Sequence, residues 1–509
     1  MRRPGYGGWW AAAAVALLPT VIPPVSLVFQ VLGDGSALVI PTGRLVELLF
    51  STALLTVAVT ITSVAIGLTT AWITTRVRLP LRKGWMTLAA LPLVVPSYVA
   101  ALALIAATGP GGLVPGIPTP YGFLGSWLVL AVFTAPLAHL SLIPGLLGID
   151  PATEEAATGL GAGRWRVFRT VTLPQLRPTL VASGLLVGLY TISDFGAVSL
   201  LRYDTFTRAI YTLYRGQIDR RPSATLSLIL MALAIVILLV ERRYRTRAAL
   251  HGRRPRRARP LLALSRRGRM LATSALGLYV LMSLGVPLLV MAMTLARGLD
   301  AGQSIGSPGV EAARSLGVAL IASVVTVLLA FPVAMVITRR PGRLSGWVES
   351  AMWGAYSLPH ITVGVAAVGF ALARARPLYQ TLIYLVIIYA ALFLPQAVGA
   401  AQDSLSRASP DLEHASRGLG RSALATLFRV TIPLAVPGIV AGGALVFLSV
   451  MKELPATLLL RPNGFETLAI RIWSSTAESF LTRASAAGLV LLAVSIVPLF
   501  FVMSRELSD

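Results

Sequence analysis

Two acidic residues stand at matched positions in otherwise apolar surroundings. Asp194 lies in Tyr190-Thr191-Ile192-Ser193-Asp194-Phe195-Gly196, and Glu453 lies 259 residues later in Met451-Lys452-Glu453-Leu454-Pro455-Ala456-Thr457. A pair of carboxylates in symmetric places is suited to a passing cation. The competing reading is structural: Glu453 would pair with Lys452 or Arg461, and Asp194 with Arg202. His360, after Pro359, is a further candidate on a solute route, or a packing and hydrogen-bonding residue.

A second pair of constellations lies in the loops 149–175 and 403–434. The first reads Glu154-Glu155-Ala156-Ala157-Thr158-Gly159-Leu160-Gly161, then Val171-Thr172-Leu173-Pro174. The second reads Glu413-His414-Ala415-Ser416-Arg417-Gly418-Leu419-Gly420, then Val430-Thr431-Ile432-Pro433. Each predicts a short helix with acidic residues in its first turn, where they favour the positive end of the helix dipole. Small alanines leave one face flat enough to lie in another protein's groove. The glycines allow a sharp turn, and a second short helix is expected to end before Pro174 or Pro433.

The elements that must position these residues are apolar. Of the 509 residues, 56% are hydrophobic and 13% charged, and mean hydropathy is +0.77. Runs long enough to cross a hydrocarbon core of about 30 Å recur along the chain. The expected spans are 9–32, 45–75, 85–108, 123–148, 176–201, 223–240, 271–296, 314–338, 348–373, 379–402, 433–460 and 484–503. Pro96 and Pro359 are expected to kink two of them. The start, Met1-Arg2-Arg3 followed by Trp9 to Leu18, resembles a signal peptide. The apolar stretch nevertheless continues to about Leu32 without a small-residue cleavage site, so it reads as an uncleaved first helix.

Charge sets the orientation. The segment 241–270 carries twelve arginines from Arg242 to Arg269, and arginine-rich short loops stay cytoplasmic. Six spans on either side then place both termini inside. Arg76, Arg78, Arg82, Lys83, Arg339, Arg340 and Arg343 agree. Arg202, Arg208, Arg215, Arg220 and Arg221 do not; on the outside they are structural or face an acidic partner. The net charge of +24 is accounted for by this bias and not by nucleic acid binding. The absence of cysteine excludes disulfides, thiolate metal sites and a cysteine nucleophile.

At an offset of 259 residues Pro151 falls on Pro410, Gly159 on Gly418, Gly161 on Gly420, Pro174 on Pro433, Pro178 on Pro437 and Gly184 on Gly443. Leu201-Arg202 falls on Leu460-Arg461, and Phe206 on Phe465. The chain is therefore read as an all-α polytopic membrane protein of about twelve transmembrane helices. These form two parallel six-helix repeats, 1–240 and 271–509, joined by the linker 241–270. Parallel repeats imply a pseudo-two-fold axis along the membrane normal with a pathway between the halves.

The loop motif resembles that of the permease subunits of type I ABC importers: Glu-Ala-Ala, three residues, Gly, nine residues, Ile, one residue, Leu-Pro. Glu155-Ala156-Ala157, Gly161, Val171 and Leu173-Pro174 match every spacing, with Val for Ile. In the second copy His414 replaces the glutamate and Ser416 the second alanine, while the spacing through Ala415, Gly420 and Pro433 is kept. The resemblance implies the type I permease fold. It also implies coupling helices, including Glu154 and Glu413 beside the motif, each seated in one of two ATPase subunits. The two lysines, Lys83 and Lys452, lie in no P-loop context. ATP and Mg²⁺ would therefore be bound by those partners, and this chain would need no cofactor and be no enzyme.

Met451-Lys452-Glu453-Leu454-Pro455-Ala456-Thr457-Leu458-Leu459-Leu460-Arg461-Pro462 resembles the fused permeases of the ferric iron importer group. Phe465-Glu466-Thr467-Leu468-Ala469 continues the likeness, and Asp194-Phe195-Gly196 with Asp204-Thr205-Phe206-Thr207 matches that group's first half. The group also includes thiamine permeases, and relatives carry phosphonates or polyamines. The resemblance implies a bacterial inner-membrane importer fed by an extracytoplasmic binding protein. Fe³⁺ prefers oxygen ligands, which Asp194, Glu453, Tyr98 and Tyr190 could offer in passing. An ionisable group at membrane depth costs roughly 2.5–3.5 kcal/mol on insertion scales, so the acidic pair asks for a reason on either reading. A secondary transporter with parallel repeats is the alternative from another class.

Overall fold

The computed structural model describes residues 7–33, 40–114, 116–251, 261–407 and 409–506. The linker arginines Arg253 to Arg259 lie outside that set. The described chain falls into twenty helices, ten before the linker and ten after it. The first ten are α1 (Gly7–Gly33), α2 (Thr42–Arg76), α3 (Arg82–Ala90), α4 (Ser97–Thr108), α5 (Phe123–Gly148), α6 (Pro151–Gly159), α7 (Arg164–Ser193), α8 (Gly196–Leu200), α9 (Phe206–Gly216) and α10 (Arg221–His251). The second ten repeat the series: α11 (Arg266–Asp300), α12 (Pro308–Arg339), α13 (Arg343–Tyr356), α14 (His360–Arg374), α15 (Leu382–Arg407), α16 (Pro410–Gly418), α17 (Ala423–Met451), α18 (Pro455–Leu460), α19 (Leu468–Ala477) and α20 (Leu481–Glu506).

Among the described residues nine helices are long and apolar enough to cross a membrane. Two further spans are bent pairs, α3 with α4 at 86° and α13 with α14 at 102°. The twelfth expected span falls on the shorter apolar stretch Leu481–Ile496. In hydrocarbon every polar backbone and hydroxyl group needs an internal partner. The threonines of α2 show the local solution: Thr56, Thr74 and Thr75 donate to the carbonyls of Thr52, Thr70 and Ala71 at 2.7, 2.8 and 2.6 Å.

Three expectations are corrected. Pro96 and Pro359 do not kink continuous helices. They break them, because each holds an extended backbone (ψ 148° and 131°) just before α4 and α14. The expected spans 176–201 and 433–460 stop at Ser193 and Met451, and their last residues form the separate helices α8 and α18. The short helix after each glycine turn does not end before Pro174 or Pro433. It forms the first turn of α7 or α17, which continues past the proline through a π-turn, Phe168–Thr172 or Leu427–Thr431. Widening the turn there relieves the clash and the missing N–H that proline would otherwise impose.

The halves exchange their first helices. α1 packs on α12, α14 and α15, with Trp9 edge-on to Phe331 at 5.8 Å. The later part of α11 packs on α4, and Tyr279 of α11 donates to the Val132 carbonyl of α5 at 3.2 Å. One large apolar core runs through both halves, with two small clusters beside it. At the linker's exit Leu262 pairs with the chain at Arg76 and Arg78, at 2.8 and 3.1 Å. α11 therefore starts at the end of the molecule where α2 finishes, and α12 returns to that end at Arg339.

Candidate functional site

At this shared end lie α6 and α16. Each begins with a side-chain cap and a proline in the first turn, where the missing N–H costs nothing. Asp150 accepts from the Ala152 amide at 3.0 Å and the Ser409 hydroxyl from the Asp411 amide at 3.1 Å. Two residues past the end of each helix stands a glycine held at φ +83°, Gly161 and Gly420, a conformation that L side chains rarely adopt.

The two helices turn the same faces inward. Glu154 takes a hydrogen bond from the Thr172 hydroxyl at 2.7 Å and lies 3.7 Å from Arg76 at the end of α2. Glu413 lies 2.9 Å from Arg339 at the end of α12. The latter pair is almost wholly enclosed, with side-chain exposures of 7% and 8%. Buried charges persist where they are paired and hydrogen bonded. Arg339 donates to Glu413 at 3.0 Å, whereas Glu154 is held by the Thr172 hydroxyl with Arg76 in ion-pair range only, and these contacts clamp each short helix to its own half. Glu154 and Glu413 thus spend their carboxylates on partners within their own halves. Glu155, Ala156, His414 and Ala415 are exposed on the opposite face, and Ala157 is half-buried.

Sequence reasoning missed the apolar rim of this surface. Leu160 and Leu419 are 89% and 83% exposed, and Trp165 and Leu424, again 259 residues apart, are also exposed. The repeat thus leaves large apolar side chains open at the same positions of both copies. Sequence reasoning read Arg76 and Arg339 only as charges that set the orientation and missed them as partners of Glu154 and Glu413. Their offset is 263, because the first half has four more residues between Ser97 and Phe123 than the second has between His360 and Leu382.

The second constellation lies at the seam between the halves. Asp194 caps α8, its Oδ1 accepting from the amides of Ala197 and Val198 at 3.0 and 3.4 Å. Glu453 caps α18, its Oε1 accepting from the Ala456 amide at 2.9 Å. The residues that open the helices after the two breaks meet these carboxylates: Ser97 lies beside Asp194, and His360 Nδ1 is 2.6 Å from Glu453 Oε2. Neither carboxylate takes the ion-pair partner expected from sequence. Lys452 instead donates to the Leu93 carbonyl at 3.3 Å, Arg461 lies 3.8 Å from Glu466, and Arg202 lies over the Tyr121 ring at 5.0 Å.

Tyr98 is buried and donates to the Lys452 carbonyl at 3.4 Å. With the Lys452–Leu93 bond, this ties the second half's turn to the first half's broken helix. Tyr190 stays open, 41% exposed. Among the described residues no group of three or more His, Asp or Glu side chains is arranged to hold a metal ion.

Two helical repeats, each presenting a clamped short helix at one end and a capped break at the seam, define a membrane transport subunit. The model of the family described as binding-protein-dependent transport system inner membrane component matches residues 63–245 and 322–505, and the chain belongs to that family. The chain is 30% identical over 508 residues, 98% of both chains, to the Fe(3+)-transport system permease protein FbpB 2 of Haemophilus influenzae. It is 23% identical to the ferric transport system permease protein FbpB of Actinobacillus pleuropneumoniae, over 94% of this chain and 75% of that one. One part, 35% of the chain, is 33% identical to the molybdenum transport system permease protein ModB of Escherichia coli, covering 84% of that protein.

The chain is thus an ABC importer permease and a multi-pass membrane protein, working with a binding protein and an ATPase.

Proposed function

We propose that the chain is the translocation subunit of an ATP-driven importer of ferric iron in a bacterial inner membrane, with both termini and the α6/α16 end in the cytoplasm. The observation that supports it best is the pair of clamped helices at one end, related by the internal repeat. Two such surfaces in one chain fit two ATPase subunits, which would hold ATP and Mg²⁺ themselves. Closure of that ATPase pair would draw α6 and α16 together. Because each is clamped to the end of α2 or α12, the movement would pass to the long helices and reopen the seam on the other side.

The whole-length likeness to an Fe(3+) permease supports iron as the cargo. In this reading Asp194, Glu453, His360, Tyr98 and Tyr190 would border the route, and the exposure of Tyr190 supports a part for it in meeting solute. The test is reconstitution of the chain with its ATPase in vesicles. ATP-dependent uptake of radiolabelled iron in the presence of loaded binding protein is expected. Uptake that proceeds without any ATPase subunit would overturn the reading in favour of a secondary transporter.

A further inference from the structure

The end of the molecule opposite α6 and α16 carries arginines that the repeat does not explain. Segment 201–222 holds five arginines against two aspartates. Part of this charge is matched locally: Asp204 pairs with Arg44 at 2.8 Å and with Arg208, and Asp219 pairs with Arg221 at 2.9 Å. Arg202, Arg215 and Arg220 have no carboxylate partner among the described residues, and all three are exposed.

Each of the three is mounted on a tyrosine instead. Arg202 lies 5.0 Å over Tyr121, Arg215 5.9 Å over Tyr211 and Arg220 4.8 Å over Tyr214. Arg314 of the second half continues the pattern over Phe465 at 5.9 Å. A ring face holds a guanidinium plane without itself taking the N–H donors; only one donor is spent by Arg215, on the Tyr211 hydroxyl at 3.3 Å, and one by Arg314, on the Gly464 carbonyl at 3.0 Å. The fork is thereby oriented toward solvent with most of its donors free to take carboxylates in pairs. Arg202 further holds a left-handed backbone, φ +59°, which a non-glycine residue adopts only when its surroundings impose it. Its repeat equivalent, Arg461, meets Glu466, where the first half has Thr207. The first half has left its arginine open.

The position of the rings decides what covers them. Tyr211 packs edge-on against Trp473 of the second half at 5.4 Å, and Trp473 also donates to Ser199 of α8 at 2.9 Å. Tyr214 meets Tyr379 of the second half. The mounts of Arg215 and Arg220 therefore lie where the two halves meet.

We propose that Arg202, Arg215 and Arg220, continued by Arg314, dock an acidic face of the solute-binding protein over the outer mouth of the seam. This rests on the importer reading above. These arginines also repel a free cation at the entrance, so a cationic cargo enters only by transfer from a docked carrier whose carboxylates cover them. Contacts of this kind act through association rate and salt dependence.

The experiment measures ATP hydrolysis by the complete complex in nanodiscs of zwitterionic lipid. The purified, Fe³⁺-loaded binding protein of the same transport system is titrated at low and high salt. For R202E/R215E/R220E the half-saturating concentration is expected to rise at least about tenfold, with a weaker salt dependence. Basal hydrolysis should be unchanged, which shows that the complex is folded. R202K/R215K/R220K, which keeps the charge and loses the fork, is expected to fall between the two. Acidic-to-lysine changes on the binding protein should restore the charge-reversed variant.

Equal half-saturation for wild type and the charge-reversed variant overturns the proposal and leaves the importer reading intact. A defect confined to nanodiscs of anionic lipid assigns the arginines to headgroups and overturns it as well. Failure of the binding protein to stimulate even the wild-type complex overturns the importer reading and this proposal with it.

Discussion

His360 Nδ1 and Glu453 Oε2 meet at 2.6 Å across the break between α13 and α14, while the first half places Ser97 against Asp194 at the same point of the repeat. Each carboxylate also caps a short helix. The seam is symmetric in backbone and asymmetric in charge, with an imidazole on one side and a hydroxyl on the other.

Caps and cargo ligands respond differently to amides. Asp194→Asn and Glu453→Gln keep an oxygen that accepts the helix amides and should retain most iron uptake. The alanine variants lose the cap, worth about 1 kcal/mol each, and should lower both thermal stability and uptake. If both amide variants abolish uptake while leaving stability intact, the carboxylates act on the cation and not only on the fold.

The clamp of α16 is a buried ion pair. Arg339→Ala leaves Glu413 enclosed without its partner, a loss of about 3–5 kcal/mol for pairs of this kind. The double variant Arg339→Met with Glu413→Leu should recover much of that stability. Thermal unfolding of the purified chain in detergent measures both. A double variant as unstable as the single one would show that the pair does more than clamp.

Glu155 is exposed on the face proposed to meet the ATPase, so Glu155→Arg should leave the melting temperature of the isolated chain unchanged. It should reduce ATP-driven uptake by about tenfold or more through a mismatched contact. Leu160→Asp and Leu419→Asp should act the same way, because both leucines are open to a partner. Co-purification of the ATPase at wild-type yield with all three changes would remove this face from the docking surface.

The glycine turns carry a conformational demand and no packing demand. A Cβ on Gly161 or Gly420 meets nothing within 4 Å, yet both sit at φ +83°. Gly161→Ala and Gly420→Ala should each cost about 1–2 kcal/mol without creating a clash. Asparagine, which tolerates this region better, should cost less than alanine in the same melting assay.

Much of this architecture is legible in the chain itself because its causes are local. The length of each apolar run decides whether a helix can span, and the matched prolines and glycines at offset 259 decide that there are two copies. The same local signals predict α6 and α16, since a cap, a proline and a terminal glycine lie within one short segment. The breaks at Pro96 and Pro359 were visible as prolines, but not as turns of 86° and 102°. A proline specifies its own dihedral angle, and the neighbouring helices decide how far the chain bends.

Partners were decided by the tertiary structure alone. Glu154 and Glu155 are adjacent in sequence and point to opposite sides, one to Arg76 and one to solvent. Only the rotation of α6 against α2 settles which does which. Arg339 and Glu413 are 74 residues apart, and His360 and Glu453 are 93 apart, too far for any sequence period to pair them. The acidic pair that stands out in the sequence proves to cap helices because the chain breaks beside it, leaving backbone amides that need acceptors. The sequence determined the apolar runs, the repeat and the two short helices α6 and α16. The packing of the halves decided which charges are clamped, which are capped and which remain open to a partner, because burial is a property of neighbours and not of residues.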